Sequence, residues 1–158
     1  YLVSLIFFES GIFLGYKFFR FVLRGFGAKI GDGVKIKPSV KIKFPWKLDV
    51  GDYTWIGEKV WIDNQDCVSI GEHVCISQGA YIFCGNHDFR STSFNLIVKP
   101  VVIESESWIG AQVLVCPGVT IKRGSVISAG LRVVDDVPSN VIVKVEWNMY
   151  QTPRIKNV

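Results

Sequence analysis

From Ile103 to Val133 the chain returns to an aliphatic residue every six positions: Ile103, Ile109, Val115, Ile121, Ile127 and Val133. The fifth place of each six holds a modest side chain (Ser107, Val113, Val119, Ser125), with Leu131 the bulky exception. A strand repeats every two residues and a helix every 3.6, so neither produces this spacing. A hexapeptide repeat does. Each six makes one short strand and a corner, three sixes close a triangular coil, and stacked coils form a parallel β-helix. The same frame runs through the earlier chain, where Ile30, Ile36 and Ile42 open one coil. Val50, Ile56 and Ile62 open a second, and Ile70, Ile76 and Ile82 a third. Fifteen hexads in five coils thus open with Ile or Val and nothing else. Burying each such side chain is worth roughly 1.5–3 kcal/mol, so these rows are expected to hold the solenoid together. Glycines at the second place (Gly31, Gly51, Gly57, Gly71, Gly110) suit corners where a side chain would collide.

The interruptions of the frame are equally informative. A two-residue slip at Lys47, Leu48 and Asp49 resets it, and Asp63 to Cys67 reads as a corner extension. Residues 88–102 keep no frame and are expected to form a loop thrown out of the coil. Beyond Val133 the repeat dissolves, Pro138 breaks the strand, and a short terminal strand or helix is expected. The chain divides accordingly into an N-terminal helix (1–26), an all-β solenoid (27–143) and a C-terminal extension (144–158).

Residues 1–26 are apolar and aromatic, interrupted by Glu9, Lys17, Arg20 and Arg24. The longest uncharged run there is eight residues, against about 20 needed to cross a bilayer. Lys17, Arg20 and Arg24 fall three and four apart, opposite Phe18, Phe19, Val22 and Leu23 on a helical wheel. Two compatible readings follow: a cap over the open end of the solenoid, or an amphipathic helix lying on an anionic membrane. Charge is uneven. Through Lys47 nine Lys/Arg face two acids, +7, whereas the remainder balances to 9 − 12 = −3, for the whole-chain +4. Five lysines (Lys35, Lys37, Lys41, Lys43, Lys47) ring the first coil, where a solvated rim discourages edge-to-edge association. The chain carries no nucleic-acid-binding motif. Its four cysteines show no C-x-x-C spacing and no disulfide framework, which fits reduced thiols in the cytoplasm, with peripheral contact to the inner face of its membrane.

Places one and five fill the core, so the sixth place faces outward. Trp55, Trp61, Cys75, Tyr81, His87, Trp108 and Leu114 occupy it. Three tryptophans and a tyrosine on outer walls point to self-association. Of the two histidines, His73 sits at a fourth-place corner and reads as a surface residue. His87 stands where the coil ends and the long loop begins, between Asn86 and Asp88. Function concentrates on loops held by a rigid scaffold, and an imidazole there can take a proton from an alcohol. Cys84, three residues earlier, invites a Cys–His nucleophile, but a small wall-filling residue is the simpler reading. Two histidines also fall short of the three that a β-helix zinc site of the carbonic-anhydrase kind requires, so no metal is expected.

The specific elements are FPW (44–46), WIDN (61–64), G-x-HDF (85–89) and F-x-L-x-x-x-P (94–100). With the hexads, they make residues 24–140 similar to the left-handed β-helix (hexapeptide-repeat) acyltransferases, most of all the colanic-acid-type and maltose/galactoside-type O-acetyltransferases. The resemblance implies left-handed coils, a homotrimer with sites between subunits, acetyl-CoA as donor and a sugar or lipid-linked glycan hydroxyl as acceptor. It implies His87 as general base and direct transfer without an acyl-enzyme. By the same likeness Asp63 matches a position near the acceptor, and Asn64, Asn86 and Asp88 are further candidates to meet it, although Asp63 and Asn64 serve equally well to cap a corner turn. Trp108, Gly110, Ala111 and Ala129 match positions along the donor's arm. Two departures stand out: Val134 and Asp135 occupy places where relatives carry threonine and lysine, and the G-N-P-A segment that follows there is absent. Arg132, Arg154 or Lys156 would then supply the positive charge for the nucleotide end of the donor. Because His87 and Trp108 belong to different corners of one prism, they are expected to meet across an interface. The competing reading is a non-catalytic β-helix scaffold whose donor site has decayed.

Overall fold

The computed structural model describes residues 15–144. A single helix, α1 (Tyr16–Gly25), precedes eighteen short strands. Three walls of parallel strands stack into a triangular prism. The first wall holds β1 (Lys29–Ile30), β4 (Leu48–Val50), β7 (Val68–Ile70), β12 (Val101–Ile103) and β15 (Thr120–Ile121). The second holds β2 (Lys35–Ile36), β5 (Trp55–Ile56), β8 (Cys75–Ile76), β13 (Trp108–Ile109), β16 (Val126–Ile127) and β18 (Ile142–Val143). The third holds β3 (Lys41–Ile42), β6 (Trp61–Asp63), β9 (Tyr81–Phe83), β14 (Leu114–Val115) and β17 (Arg132–Val133). Only β10 (Gly85–His87) and β11 (Leu96–Val98) leave the prism, pairing with each other antiparallel.

The register follows the sixes. Ile36, Ile56, Ile76, Ile109 and Ile127 stack as one row of the second wall, and each is fully buried. Ile42, Ile62, Ile82, Val115 and Val133 form the matching row of the third. Five coils close, and a sixth begins: Val137 bridges to Ile121, and β18 pairs with β16. The terminal segment after Pro138 is therefore a strand that continues the stack.

The glycines and the corners separate into two effects. A Cβ on Gly51 would lie 2.5 Å from the Glu72 nitrogen, and one on Gly71 would lie 2.4 Å from that of Ser105. These second-place glycines are set by the approach of the next coil, not by the sharpness of the corner. Left-handed φ falls at the fourth place instead, at glycines such as Gly33, Gly79 and Gly124 but also at side-chain-bearing Tyr53 (56°), Lys59 (58°) and His73 (54°). His73 stacks on Tyr53 at 5.2 Å along this outer edge.

Fifth-place polar residues are buried but satisfied by the neighbouring coil. Thr54 Oγ1 donates to the Gly71 carbonyl at 2.7 Å and accepts from the Val74 N–H at 3.1 Å. Ser107 and Ser125 donate to the Lys122 and Pro138 carbonyls, so no fifth-place hydroxyl is left orphaned in the core. Trp46, fifth in its six, escapes the core and is 59 % exposed. Pro45–Lys47 forms a 3₁₀ turn that absorbs the two-residue slip and swings the indole outward.

Helix α1 packs on β1 and β2. Phe19, Val22 and Leu23 are buried there, while Lys17, Phe21 and Arg24 face outward. Arg20 Nη1 donates to the Val34 carbonyl at 3.1 Å and Arg24 Nε to that of Ile30 at 2.8 Å. These bonds satisfy carbonyls of the first coil, which has no coil before it. The opposite wheel face expected of Lys17, Arg20 and Arg24 is thus only partly realised, since Arg20 turns in to the solenoid and Phe21 turns out. Residues 1–14 and 145–158, among them most of the expected extension, lie outside the described residues.

Candidate active site

The chain leaves the prism at the corner after β9 and returns at β12. Residues 88–102, expected as a frameless loop, contribute to a β-hairpin in which His87 pairs with Leu96 and Asn86 with Ile97. Its base is closed by the Lys99 N–H donating to the Cys84 carbonyl at 2.9 Å. The pairing was not visible as a pattern because Leu96, Ile97 and Val98 are all exposed, with no alternation of buried and exposed faces.

His87 is the most organised side chain of the hairpin. Its Nδ1 lies 2.9 Å from the Phe94 carbonyl. A carbonyl only accepts, so Nδ1 carries the proton, and the neutral form of a ring so bonded has its lone pair on Nε2. The ring is also stacked on that of Phe94, with centroids 4.6 Å apart and planes 9° from parallel. Phe94 reaches this position with φ at 47°, in the left-handed region. Asn86 Oδ1 accepts the His87 N–H at 2.8 Å, and Asp88 Oδ1 accepts the Arg90 N–H at 3.1 Å. Both flanking side chains therefore shape the turn, yet each keeps polar atoms for a ligand. Phe94 was not singled out by sequence reasoning, although it heads the F-x-L-x-x-x-P element.

One coil below, the corner extension supports the hairpin. Asp63 pairs with Phe83, and its carbonyl accepts the Cys84 N–H at 3.2 Å. Its carboxylate is mostly covered, and Oδ1 lies 2.9 Å from Lys43 Nζ in an ion pair. Asn64 corrects the expectation of an acceptor contact. It is fully buried, its Oδ1 accepts the Phe44 N–H at 3.0 Å, and its Nδ2 donates to the Phe44 carbonyl at 2.6 Å. Both ends of the amide are consumed in clamping the FPW turn to the coil above.

Trp108, Gly110, Ala111 and Ala129 do come together. They line one groove of about 420 Å³ on the second wall, with Ser77, Gln78 and Val126. The Trp108 indole N–H donates to Ser77 Oγ at 2.9 Å, fixing a ring that is otherwise half exposed. The floor is backbone: a Cβ at Gly110 would stand 2.6 Å from the Ala129 nitrogen. Small residues leave room for an extended ligand chain beside the indole.

Arg132 does not join that groove. It lies on the third wall, in register with Leu114, and lines a cleft of about 550 Å³ with Asn86, Lys99, Cys116 and Val134. Lys99, which the sequence did not mark, brings a second cation to this cleft. Arg154 and Lys156 lie outside the described residues. In one protomer the His87 corner joins the third wall to the first, and Trp108 opens the second wall, so the two stand at different corners.

Cys84, between these elements, is fully buried. Burial pushes its thiol up to about 11 from the usual 9.0, outweighing backbone hydrogen bonds from Asp66 and Val101 that lower it, while the Asp66 and Asp63 charges add to the rise. A thiol so protonated and enclosed is a wall residue, not a nucleophile.

The chain was compared with known proteins. No family model matches it. It is 44 % identical over 129 residues to an Escherichia coli protein named as the colanic acid biosynthesis acetyltransferase WcaF, covering 82 % of this chain and 71 % of that one. Over 87 residues it is 37 % identical to the galactoside O-acetyltransferase of Lactococcus lactis, covering 51 % of this chain and 40 % of the relative. Among solved structures, a hexapeptide-repeat acetyltransferase from Vibrio cholerae superposes with a TM-score of 0.77 at 29 % identity, over 82 % of this chain and 75 % of its own. The same protein in complex with acetyl coenzyme A gives 0.75 at 28 % identity, over 82 % and 72 %. The chain belongs to the hexapeptide-repeat acetyltransferases, and its prism is the left-handed β-helix of that family.

Proposed function

We propose that the protein moves an acetyl group from acetyl-CoA to a hydroxyl of a sugar in a cell-surface polysaccharide precursor, in the cytoplasm, with His87 as general base. The observation that carries this is the contact between His87 Nδ1 and the Phe94 carbonyl, which leaves Nε2 as a fixed, outward lone pair. The acceptor O–H gives its proton to Nε2 while its oxygen attacks the thioester carbonyl. When the tetrahedral intermediate collapses, the C–S bond breaks and the imidazolium returns the proton to the departing CoA thiolate. General-base help of this kind supplies about 10²–10⁴-fold, and no acyl-enzyme is required. The E. coli relative's name supports the polysaccharide class.

The Trp108 groove suits the pantetheine arm, with Gly110, Ala111 and Ala129 allowing close approach. Asn86, Asp88 and Asp63, at or just below the hairpin corner, are placed to meet acceptor hydroxyls. Since His87 and Trp108 occupy different corners of one prism, the complete site forms between subunits of a homotrimer, with His87 facing Trp108 of the partner subunit. Labelled acetyl-CoA incubated with the purified protein and a panel of activated sugars and lipid-linked oligosaccharides tests the reading. Acetyl transfer that disappears in His87→Ala is the expected result. No CoA binding by calorimetry, together with no transfer, returns the protein to the scaffold class.

A further inference from the structure

The helix-capped end of the prism carries an apolar patch that the acetyl-transfer reading does not use. Phe21 is 74 % exposed, Phe26 48 % and Trp46 59 %. Phe26 and Trp46 are close neighbours: a Cβ on Gly27, the residue after Phe26, would lie 3.0 Å from Trp46 Cβ. The Trp46 ring continues onto Phe44, with centroids 5.3 Å apart. Phe21 shares the outward stripe of α1 with Lys17 and Arg24.

Cations border these rings. Lys43 and Lys47 approach the Phe44 ring at 5.8 and 5.7 Å, and Lys17 and Arg24 flank Phe21. The acids nearby, Asp32 and Asp63, offset two of these cations, Arg24 and Lys43, so the surplus charge rests on Lys17 and on Lys47, whose Nζ also donates to the Gln65 carbonyl. What remains is aromatic surface rimmed by positive charge, the composition of a segment that seats its rings among acyl chains and its cations among anionic headgroups. The sequence that precedes Gly15, YLVSLIFFESGIFL, is mostly apolar with a single acid, Glu9.

We infer that this end of the protein docks on an anionic lipid bilayer, with Phe21, Phe26 and Trp46 inserting at the interface and Lys17 and Lys47 meeting the headgroups. The fold serves the contact directly. The buried side of α1 fixes it to the first coil, so the patch is presented by a rigid body whose coils rise away from the surface. This docking does not depend on acetyl transfer, so its test is separate.

The full chain is floated with vesicles of phosphatidylcholine alone and of phosphatidylcholine mixed with phosphatidylglycerol. Binding to the anionic vesicles that weakens with salt is expected. A variant carrying Phe21→Ser, Phe26→Ser and Trp46→Ser should bind at least about tenfold less, because each ring loses its interfacial burial. Lys17→Glu or Lys47→Glu should each cost about fivefold or more. Circular dichroism and thermal unfolding confirm that these surface changes leave the fold intact. Equal binding to both vesicle types overturns the proposal. So does unchanged binding by the triple serine variant, which would place the contact in the leading segment alone. A fall in oligomeric order of that variant in sedimentation velocity, without loss of vesicle binding, assigns the patch to a second copy and overturns it too.

Discussion

His87 and Phe94 are joined twice, by a hydrogen bond from ring nitrogen to main-chain carbonyl at 2.9 Å and by rings stacked 4.6 Å apart. The first contact selects the tautomer, and the second fixes the plane of the imidazole. In its proposed role as general base, an imidazole held this way loses little orientational freedom when the acceptor arrives.

The two contacts separate by mutation. His87→Ala should lower kcat by about 10²–10⁴-fold with acetyl-CoA affinity unchanged. Phe94→Ala keeps the carbonyl but removes the stack, and a smaller fall, about tenfold, is expected from the loosened geometry. Steady-state kinetics and calorimetry with CoA distinguish them. If Phe94→Ala matched His87→Ala, the ring would be more than an orienting surface.

Mixing subunits tests the interfacial site. If the chain assembles as the proposed homotrimer, the His87→Ala and Trp108→Ala variants should each be nearly inactive, yet co-refolded mixtures should recover a fraction of wild-type rate, since some interfaces carry both native residues. Mixtures that stay at the level of either parent would place both residues in one subunit's site.

Gly110 and Gly130 look alike in the sequence but answer to different physics. Gly110→Ala forces a Cβ to within 2.6 Å of the Ala129 nitrogen and the Ile127 carbonyl, so coils must separate, costing about 2 kcal/mol or more. Gly130 has open space around it and only its φ of 75° to defend, so Gly130→Ala should cost about 1 kcal/mol. Urea midpoints of the two variants give the comparison directly.

Cys84 predicts an alkaline limb of stability. The folded protein holds this proton more tightly than the unfolded chain, because burial raises the thiol from 9.0 to about 11. Its contribution is therefore complete below pH 9 and is lost as pH climbs from 9 toward 11. Urea unfolding across that window should show a decline in the wild type that is shallower in Cys84→Ala, whereas acetyl transfer at neutral pH should survive the substitution.

The solenoid was legible because its rule is local: a buried Ile or Val every six residues, with rows that stack in the register the spacing implies. The groove residues Trp108, Gly110, Ala111 and Ala129 were legible through resemblance, and the geometry gathers them. The clamp made by Asn64 was not legible because its partners, the N–H and carbonyl of Phe44, lie twenty residues earlier, a separation at which sequence carries no sign of burial. Ser77 was missed for the same reason, since its bond to Trp108 spans thirty-one positions and an insertion. The glycine reading placed the tight turn two places too early, and at the fourth place non-glycine residues such as Tyr53 and Lys59 adopt left-handed φ where nothing in their identity announces it.

The hairpin leaves and re-enters the prism through a closed doorway. Lys99 bonds back to Cys84, and Val101 rejoins the first wall by donating to the Cys67 carbonyl at 3.1 Å. Coils on either side stay in register as if the excursion were not there, with Val68 facing Val101 and Ile70 facing Ile103. Such an architecture decouples inheritance of the scaffold from invention at its edge. Apart from His87 and Phe94, the residues between Asn86 and Val98 can lengthen, shorten or change chemistry without any row of the core being renegotiated.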